Sequence, residues 1–373
     1  MRTRNQSHAA NTVSSSPGTM QQNTRPGRPA MPVSRKIQQL LLQERAASLS
    51  VLTLLLVVLF WLLGRGGYLF APFDLPYMAS SLQAFVPLVI LGLAEMFVIT
   101  SGRGGIDLSV GAMVSLAGVV FGHCVQTWEL PLALSALIAI IAGALFGGCN
   151  GLLIGYFRFP ALIATLATSY IYASLAMVAS HQAPISGAKV AATNALTANI
   201  PLGGGILLPL QALTFFIPTM VVCWLLLEKT SWGRSLLAVG TNDVAATYAA
   251  HNVNGVRASA YLLSGTLCGL AAVVNVAQFA SARPDAGTAG NGMVLPAITI
   301  AVLGGVLIQG GFGRVSGVVV GALLITWLNA GLLIGLQGSA GPRTQLLALG
   351  AVLLASIIVN NIAIAKARRI PDK

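Results

Sequence analysis

Two acidic residues lie within or at the edge of long apolar stretches of this sequence. Glu95 stands in the middle of the run Leu-Ala-Glu-Met-Phe, and Asp107 begins the run Asp-Leu-Ser-Val-Gly directly after two glycines and an isoleucine. A charge at the centre of a bilayer costs about 2.5–3.5 kcal/mol on insertion scales, so such residues usually face protein or a water-filled path. The two acids are therefore expected either to line a solute path or to make a polar contact between helices.

The two acids suit different roles. Glu95 could accept hydrogen bonds from a polyhydroxylated solute or tie two helices together, and its surroundings in the sequence favour neither role. Asp107 is better placed to cap the following helix, because its carboxylate can accept hydrogen bonds from backbone N–H groups at the helix start. The alternative is that Asp107 and the nearby Ser109 contribute to a translocation path.

The other residues that commonly carry chemistry form no catalytic or metal-binding pattern. The four cysteines lie in apolar stretches without a C-x-x-C pair, which is typical of packing residues, and the four histidines are scattered. The sequence contains no G-x-x-x-x-G-K-S/T phosphate loop, so we expect ATP hydrolysis on a separate subunit. We expect no enzyme activity, and no cofactor or metal bound to this chain.

The composition predicts a protein embedded in a membrane. Apolar residues make up 55% of the chain and charged residues 8%, and the mean hydropathy is +0.81. A water-soluble domain has about 25% charged residues. The 41 glycines suit helices that pack closely in lipid. These features indicate an all-α, polytopic helical bundle.

Apolar stretches of about 20 residues, long enough to cross a bilayer, recur along the chain. We predict ten transmembrane helices, with nine as the alternative, because glycine runs in or beside the third and eighth spans favour a broken or re-entrant segment. The ten predicted spans are 46–64, 82–101, 106–125, 130–155, 161–179, 211–227, 258–280, 293–309, 315–336 and 344–363.

Basic residues are distributed unevenly between the two ends of these spans. The connections predicted to face outward hold Arg65, Lys189, Arg283 and Arg343, and all other basic residues lie in the inward connections and the tails. The positive-inside rule therefore predicts that both termini are cytoplasmic. Topology accounts for the net charge of +12, and we expect no nucleic acid partner.

Three regions follow from these patterns. Residues 1–45 are polar and lack hydrophobic periodicity, which predicts a disordered cytoplasmic N-terminal tail. Residues 46–363 form the predicted transmembrane domain, in contact with membrane lipid, and residues 364–373 form a basic cytoplasmic tail. The long outward connection at 180–210 is either an ordinary loop or a docking site for a soluble binding protein.

The longest inward connection, residues 228–257, contains signals for a short helix. Asn242 and Asp243 can cap a helix that begins near Val244, and Asn254-Gly255 can form a turn after it. From these residues alone, the segment is either an amphipathic helix parallel to the membrane or an ordinary structured loop.

The fourth predicted span carries glycine at every fourth position. One face of the helix is therefore bare backbone over about three turns, which lets another helix approach closely. We predict helix packing as the main role of these glycines, with a lining of a solute path as the alternative. They are Gly143, Gly147, Gly151 and Gly155.

Several segments, taken in order, resemble a family of bacterial permeases. The run Gly-Ile-Asp-Leu-Ser-Val-Gly at 105–111 resembles a signature of permease subunits of ATP-binding-cassette (ABC) importers for ribose and related sugars, and residues 232–246 resemble that family's cytoplasmic loop. Permeases for branched-chain amino acids and autoinducer-2 belong to the same superfamily, and residues 295–300 resemble the autoinducer-2 branch. Further resembling segments lie at 264–271, 281–287 and 302–314, and the whole resemblance runs from about 50 to 363.

The resemblance implies an assembly of several subunits. Two permease subunits, identical or homologous, would form a central path, two ATPase subunits would bind below and use the ATP, and a periplasmic binding protein would deliver the solute. The helix around 243–250 would be a coupling helix that sits in a groove of the ATPase and moves with it. The residues implied in coupling are Gly240, Thr241, Asn242, Asp243, Ala245 and Ala246.

The resulting hypothesis is a permease subunit in the bacterial inner membrane that imports a monosaccharide or related polyol. The same machinery for autoinducer-2 or a branched-chain amino acid is the first alternative. A secondary transporter driven by an ion gradient and a non-transporting scaffold are the others. The sequence departs from the family in its long N-terminal tail and in the extra residues Arg103-Gly104 before the signature.

Overall fold

A computed structural model describes residues 45–288, 292–336, 338 and 340–368, and these residues form a bundle of long apolar helices. The predicted N-terminal tail lies outside the described residues, apart from Arg45, which begins the first helix. The first five residues of the predicted C-terminal tail continue the last helix, and residues 369–373 lie outside the described part of the chain.

The helices are numbered here in chain order. Within the described residues, four single π-helical turns adjoin the longer helices, at His123–Thr127, Leu152–Tyr156, Ala212–Phe216 and Leu225–Lys229. The helices are α1 (Arg45–Arg65), α2 (Leu75–Thr100), α3 (Val110–Gly122), α4 (Leu132–Gly151), α5 (Ala161–Ala179), α6 (Ala188–Ala192), α7 (Ile217–Trp224), α8 (Ser231–Thr241), α9 (Asp243–Tyr248), α10 (Val253–Phe279), α11 (Val294–Leu303), α12 (Val315–Gly335) and α13 (Ala340–Arg368).

Eight helices of the described chain are long and apolar enough to span a membrane, against ten predicted spans. They correspond to the first seven predicted spans and the ninth, which confirms a polytopic helical membrane protein. The tenth predicted span lies within α13. The eighth is shorter than predicted, because α11 ends at Leu303 and the chain turns at Gly304 and at Gly305, whose φ is +92°.

The centre of the bundle is formed by α2, α3 and α10. In each of them 78% of the residues in the most apolar stretch are buried, whereas only 17% are buried in the corresponding stretch of α1. The exposed faces of α1, α4 and α5 carry large apolar side chains, as expected of helices that contact lipid.

The glycine face of α4 packs directly against the backbone of α10, as the sequence predicted. A Cβ atom at Gly147 would lie 2.8 Å from the Cα of Gly265, and one at Gly143 would lie 2.7 Å from the amide nitrogen of Gly269. Real side chains do not come this close, so glycine is required for the observed distance between the two helices.

The connection at 180–210 is more structured than predicted. It contains α6, a 3-10 turn at Thr193–Thr197, and a β-hairpin in which β1 (Asn199–Gly203) pairs with the antiparallel β2 (Ile206–Pro209). The glycines between the strands adopt positive φ values, which a tight hairpin turn requires. An all-α prediction could not include this hairpin, because its strands are too short for a periodic pattern.

Candidate functional site

The connection at 228–257, predicted to face the cytoplasm, folds into two short helices, α8 and α9, before α10 begins. The Asn242 side chain caps α9 by accepting hydrogen bonds from the backbone N–H groups of Val244 (3.0 Å) and Ala245 (3.1 Å). This arrangement is the one expected for an asparagine N-cap, so the predicted short helix is present and its predicted start is displaced by one residue.

The turn predicted at Asn254-Gly255 is absent. These residues lie in the first turn of α10, where the side chain of Asn252 accepts a hydrogen bond from the Gly255 backbone N–H at 3.0 Å. The prediction was wrong because an Asn-Gly pair also fits near a helix start when another asparagine precedes it as the cap. As a result, α9 and α10 are separated by only a few residues.

Asp243, the first residue of α9, is held between two arginines. Its Oδ1 atom accepts a hydrogen bond from Nη2 of Arg257 at 2.7 Å, and its Oδ2 atom lies 2.5 Å from Nε of Arg103. The side chain of Arg257 is 2% exposed, whereas that of Arg103 is 56% exposed. Arg257 also donates to the backbone oxygen of Ser101 at 3.2 Å. This ion cluster connects α9 to α10 and to the segment after α2.

Arg103 reaches Asp243 because of the turn formed by residues 102–104. Gly102, Arg103 and Gly104 all adopt positive φ values, and Arg103 has φ +57°. The segment Arg103-Gly104 therefore supplies one of the two cations that contact α9, and its status as an addition to the family pattern stays a prediction.

Glycines beside the ion cluster let three segments meet backbone to backbone. A Cβ atom on Gly102 would lie 2.9 Å from the Cα of Gly240, and one on Gly310 would lie 2.9 Å from the Gly240 oxygen. The Gly311 amide also donates a hydrogen bond to the Thr100 oxygen at 3.0 Å. The end of α8 is therefore fixed against the end of α2 and the segment after α11.

The outer face of α9 is exposed and partly apolar. Val244 and Tyr248, four residues apart, are 65% and 88% exposed, and Ala245 is also exposed. Ala246 is buried and Gly240 packs inside the subunit, so these two residues face their own chain. An exposed helix face with an apolar pair at this spacing is a surface that a groove on another protein can bind.

The residues predicted for coupling thus occupy one region but differ in what they contact. Asn242 and Asp243 fix the start of α9, Ala245 is on its outer face, and Gly240 and Ala246 are buried beneath it. Thr241 is exposed and donates its hydroxyl to the Leu237 oxygen at 2.8 Å. The role of these residues in coupling stays a prediction. Sequence reasoning missed Val244 and Tyr248, which the i, i+4 spacing of apolar residues could have identified.

Glu95, Asp107 and Ser109 form a second polar cluster, deep in the protein. All three are 0% exposed. The Glu95 carboxylate accepts a hydrogen bond from the Asp107 backbone N–H at 3.3 Å, and Oδ1 of Asp107 accepts the Ser109 N–H at 2.9 Å and its hydroxyl at 2.6 Å. The N-cap residue of α3 is Ser109, and no side chain caps the helix. Among backbone N–H groups, Asp107 binds only that of Ser109, one residue before α3, so the capping role predicted for Asp107 was wrong.

This second cluster extends to α4 and α5. Asn150 donates its side-chain N–H to the Ser109 hydroxyl at 2.8 Å, and the Thr165 hydroxyl accepts the Leu108 backbone N–H at 3.1 Å. These contacts join the start of α3 to α4 and α5, as expected if the cluster ties helices together. The assignment of Glu95, Asp107 and Ser109 to a translocation path stays a prediction. Asn150 and Thr165 were not identified from sequence, although an asparagine among apolar span residues is a recognisable signal.

Comparisons with known proteins match most of the chain. The family described as the permease component of branched-chain amino acid transport systems matches residues 77–357. The chain is 36% identical over 291 residues to the autoinducer 2 import system permease protein LsrD of Klebsiella pneumoniae, an alignment that covers 77% of this chain and 83% of that protein. It is 34% identical over 292 residues to the LsrD proteins of Escherichia coli K12 and Shigella flexneri, over 77% of this chain and 84% of each. No solved structure matches significantly.

Proposed function

Since the chain belongs to the permease family of ABC importers, we propose that it forms the membrane path for a small, neutral, hydroxylated solute and is driven by a separate ATPase subunit. The chain is a multi-pass inner-membrane transport subunit, not an enzyme. The solute and the individual partners are the parts of this function that we propose.

The main observation behind the proposal is that α9 has an exposed outer face and is bound to α10 at its first residue. Its outer face presents Val244 and Tyr248, and its first residue is bound to α10 through Asp243 and Arg257. A partner that moves α9 would therefore pull on a helix that crosses the centre of the bundle. Rigid-body movement of this kind is one way in which binding at an interface is converted into a change of access.

The proposed partners follow from this arrangement. An ATPase subunit would bind the outer face of α9, and a second permease subunit would complete the path. A periplasmic binding protein would dock at the opposite end, where α6 and the β-hairpin provide a folded surface. These elements are consistent with the docking role considered for residues 180–210.

Two classes of neutral solute fit the proposal. The relatives named above are described as autoinducer-2 import permeases, which supports autoinducer-2, and the resemblance to ribose-type permeases supports a monosaccharide. Both molecules are small and carry several hydroxyl groups. A branched-chain amino acid, in contrast, carries an ammonium and a carboxylate group.

Competitive uptake tests this proposal. Cells that lack the chain and regain it from a plasmid would be supplied with labelled autoinducer-2, D-ribose or leucine, under conditions that keep ATP high. We expect uptake of autoinducer-2 or ribose that depends on the chain and is not reduced by excess leucine. Uptake of leucine alone would contradict the proposed solute class.

A further inference from the structure

A cleft lies between α2, α10, α12 and α13, at the end of the bundle opposite α9. It consists of two adjoining cavities of about 570 and 470 Å³, within the size range of small-molecule sites. Both cavities contact Gln278 of α10, Asn329 of α12 and Gln345 of α13. They therefore form one site rather than two independent voids.

The cleft combines an apolar wall with several uncharged polar groups. Pro87, Leu88 and Met293 are among its apolar residues. No charged side chain occurs among its described lining residues, which exclude Glu95 and Asp107. Its carboxamide side chains, each able to donate and accept hydrogen bonds, are Gln83, Asn275, Gln278, Asn329 and Gln345.

Two polar atoms of α12 that border the cleft are buried without a hydrogen-bond partner. They are Oγ1 of Thr326, a residue only 2% exposed, and Oδ1 of Asn329. A buried hydroxyl or amide without a partner is uncommon in folded proteins, because its desolvation is not compensated. Both residues line the cleft, so rotation of either side chain would turn a donor or an acceptor toward a molecule there.

The wall that carries these atoms is fixed by its neighbours. The Tyr77 hydroxyl of α2 donates to the Ala330 oxygen at 2.9 Å, and the Gln345 side chain of α13 donates to the backbone oxygen of Asn329 at 3.0 Å. The backbone in the outer part of α12 is thus bonded to both α2 and α13.

We propose that this cleft is a binding site for the transported solute on its way through the permease, and that it selects neutral molecules with several hydroxyl groups. The inference rests on the proposed function and adds the site and the basis of selectivity. Carboxamides and a threonine hydroxyl can pair with sugar-like hydroxyls in any orientation. An amino acid would leave its ammonium group without a carboxylate partner among the described lining residues, which is costly in a mostly apolar cleft.

Replacement of the unpartnered threonine by its isostere tests the site. Thr326→Val removes the hydroxyl and keeps the shape, and Thr266→Val is the matched control on α10, where the hydroxyl is exposed and donates to the Leu262 oxygen. We expect Thr326→Val to raise the apparent KM for autoinducer-2 or D-ribose roughly 2- to 10-fold, as for the loss of one hydrogen bond to the solute. Thr266→Val should leave KM unchanged.

Thermal stability of the purified variants separates binding from folding. Because the Thr326 hydroxyl has no hydrogen-bond partner among the described protein atoms, its removal should leave the unfolding midpoint the same or higher. A lower midpoint together with reduced uptake would mean that the hydroxyl supports the fold, and would overturn the inference. Asn329→Leu provides a second variant with the same expected pattern.

Uptake and KM together distinguish an error in the proposed binding site from an error in the proposed function. If the wild-type chain supports uptake of autoinducer-2 or ribose, and both Thr326→Val and Asn329→Leu keep the wild-type KM, the cleft is not the binding site although the function stands. If the wild-type chain supports uptake of leucine alone, the proposed solute class and the selectivity of the cleft are both wrong.

Discussion

Removal of the Asp243 carboxylate should destabilise the protein far more than removal of its exposed partner. In Asp243→Ala, the Arg257 guanidinium stays buried and loses its only charged contact within the described structure. Loss of one partner of a buried ion pair typically costs about 3–5 kcal/mol. We expect a value near the lower end, about 3 kcal/mol, because the Asp243 side chain is 19% exposed and water can enter after the change.

Arg103→Ala is the internal comparison. Its side chain is 56% exposed, and an exposed ion pair contributes only about 0–1 kcal/mol. The double variant Asp243→Ala/Arg257→Met should recover most of the stability lost in the single variant, because no uncompensated buried charge remains. The three variants therefore separate the buried pair from the exposed one.

Chemical unfolding of the purified chain in mild detergent gives the required free energies. We expect a large loss for Asp243→Ala and a small loss for Arg103→Ala. With the single variant Arg257→Met measured as well, the double-mutant cycle should give a strong coupling energy between Asp243 and Arg257. If Asp243→Ala costs less than about 1 kcal/mol, or if the double variant is as unstable as the single one, the reasoning about a buried charge is refuted.

Three further predictions concern helix packing, capping and the exposed face of α9. Gly147→Ala should cost about 3 kcal/mol or more in unfolding measurements, because its Cβ would meet the α10 backbone, whereas Gly148→Ala, with its nearest contact at 3.8 Å, should be neutral or stabilising. Asn242→Ala should cost about 1 kcal/mol, and a serine at that position should restore most of it. Tyr248→Asp should abolish stimulation of ATP hydrolysis by the permease without lowering its unfolding midpoint, whereas Ala246→Asp should lower the midpoint. A normal ATPase response in Tyr248→Asp would exclude this face of α9 as the contact.

Local signals in the sequence were sufficient for part of the fold. Asn242 as a helix cap and the glycine face of the fourth span depend on residues within one or two turns of each other, and both are present in the structure. The polytopic helical bundle follows from apolar stretches alone. These features could be predicted because each is determined by neighbours in the chain.

Contacts between distant segments could not be predicted in the same way. The pair of Asp243 with Arg103 joins residues far apart in sequence, and so does the contact of Asn150 with Ser109. The length of α11 was overestimated because apolar residues continue beyond the turn at Gly304. The cleft between α2, α10, α12 and α13, to which Pro296 of α11 also contributes, depends on several helices at once, so no pattern in one segment indicates it.

The central claim is that this chain works with an ATPase that binds α9. Its most direct test is to isolate the chain from its native membranes in mild detergent, identify the proteins that remain bound, and measure ATP hydrolysis with and without a solute-loaded binding protein. We expect that an ATPase subunit is recovered and that the loaded binding protein increases its rate of ATP hydrolysis. Recovery of the chain without an ATPase, together with uptake that continues in cells depleted of ATP but not of their ion gradients, would contradict it.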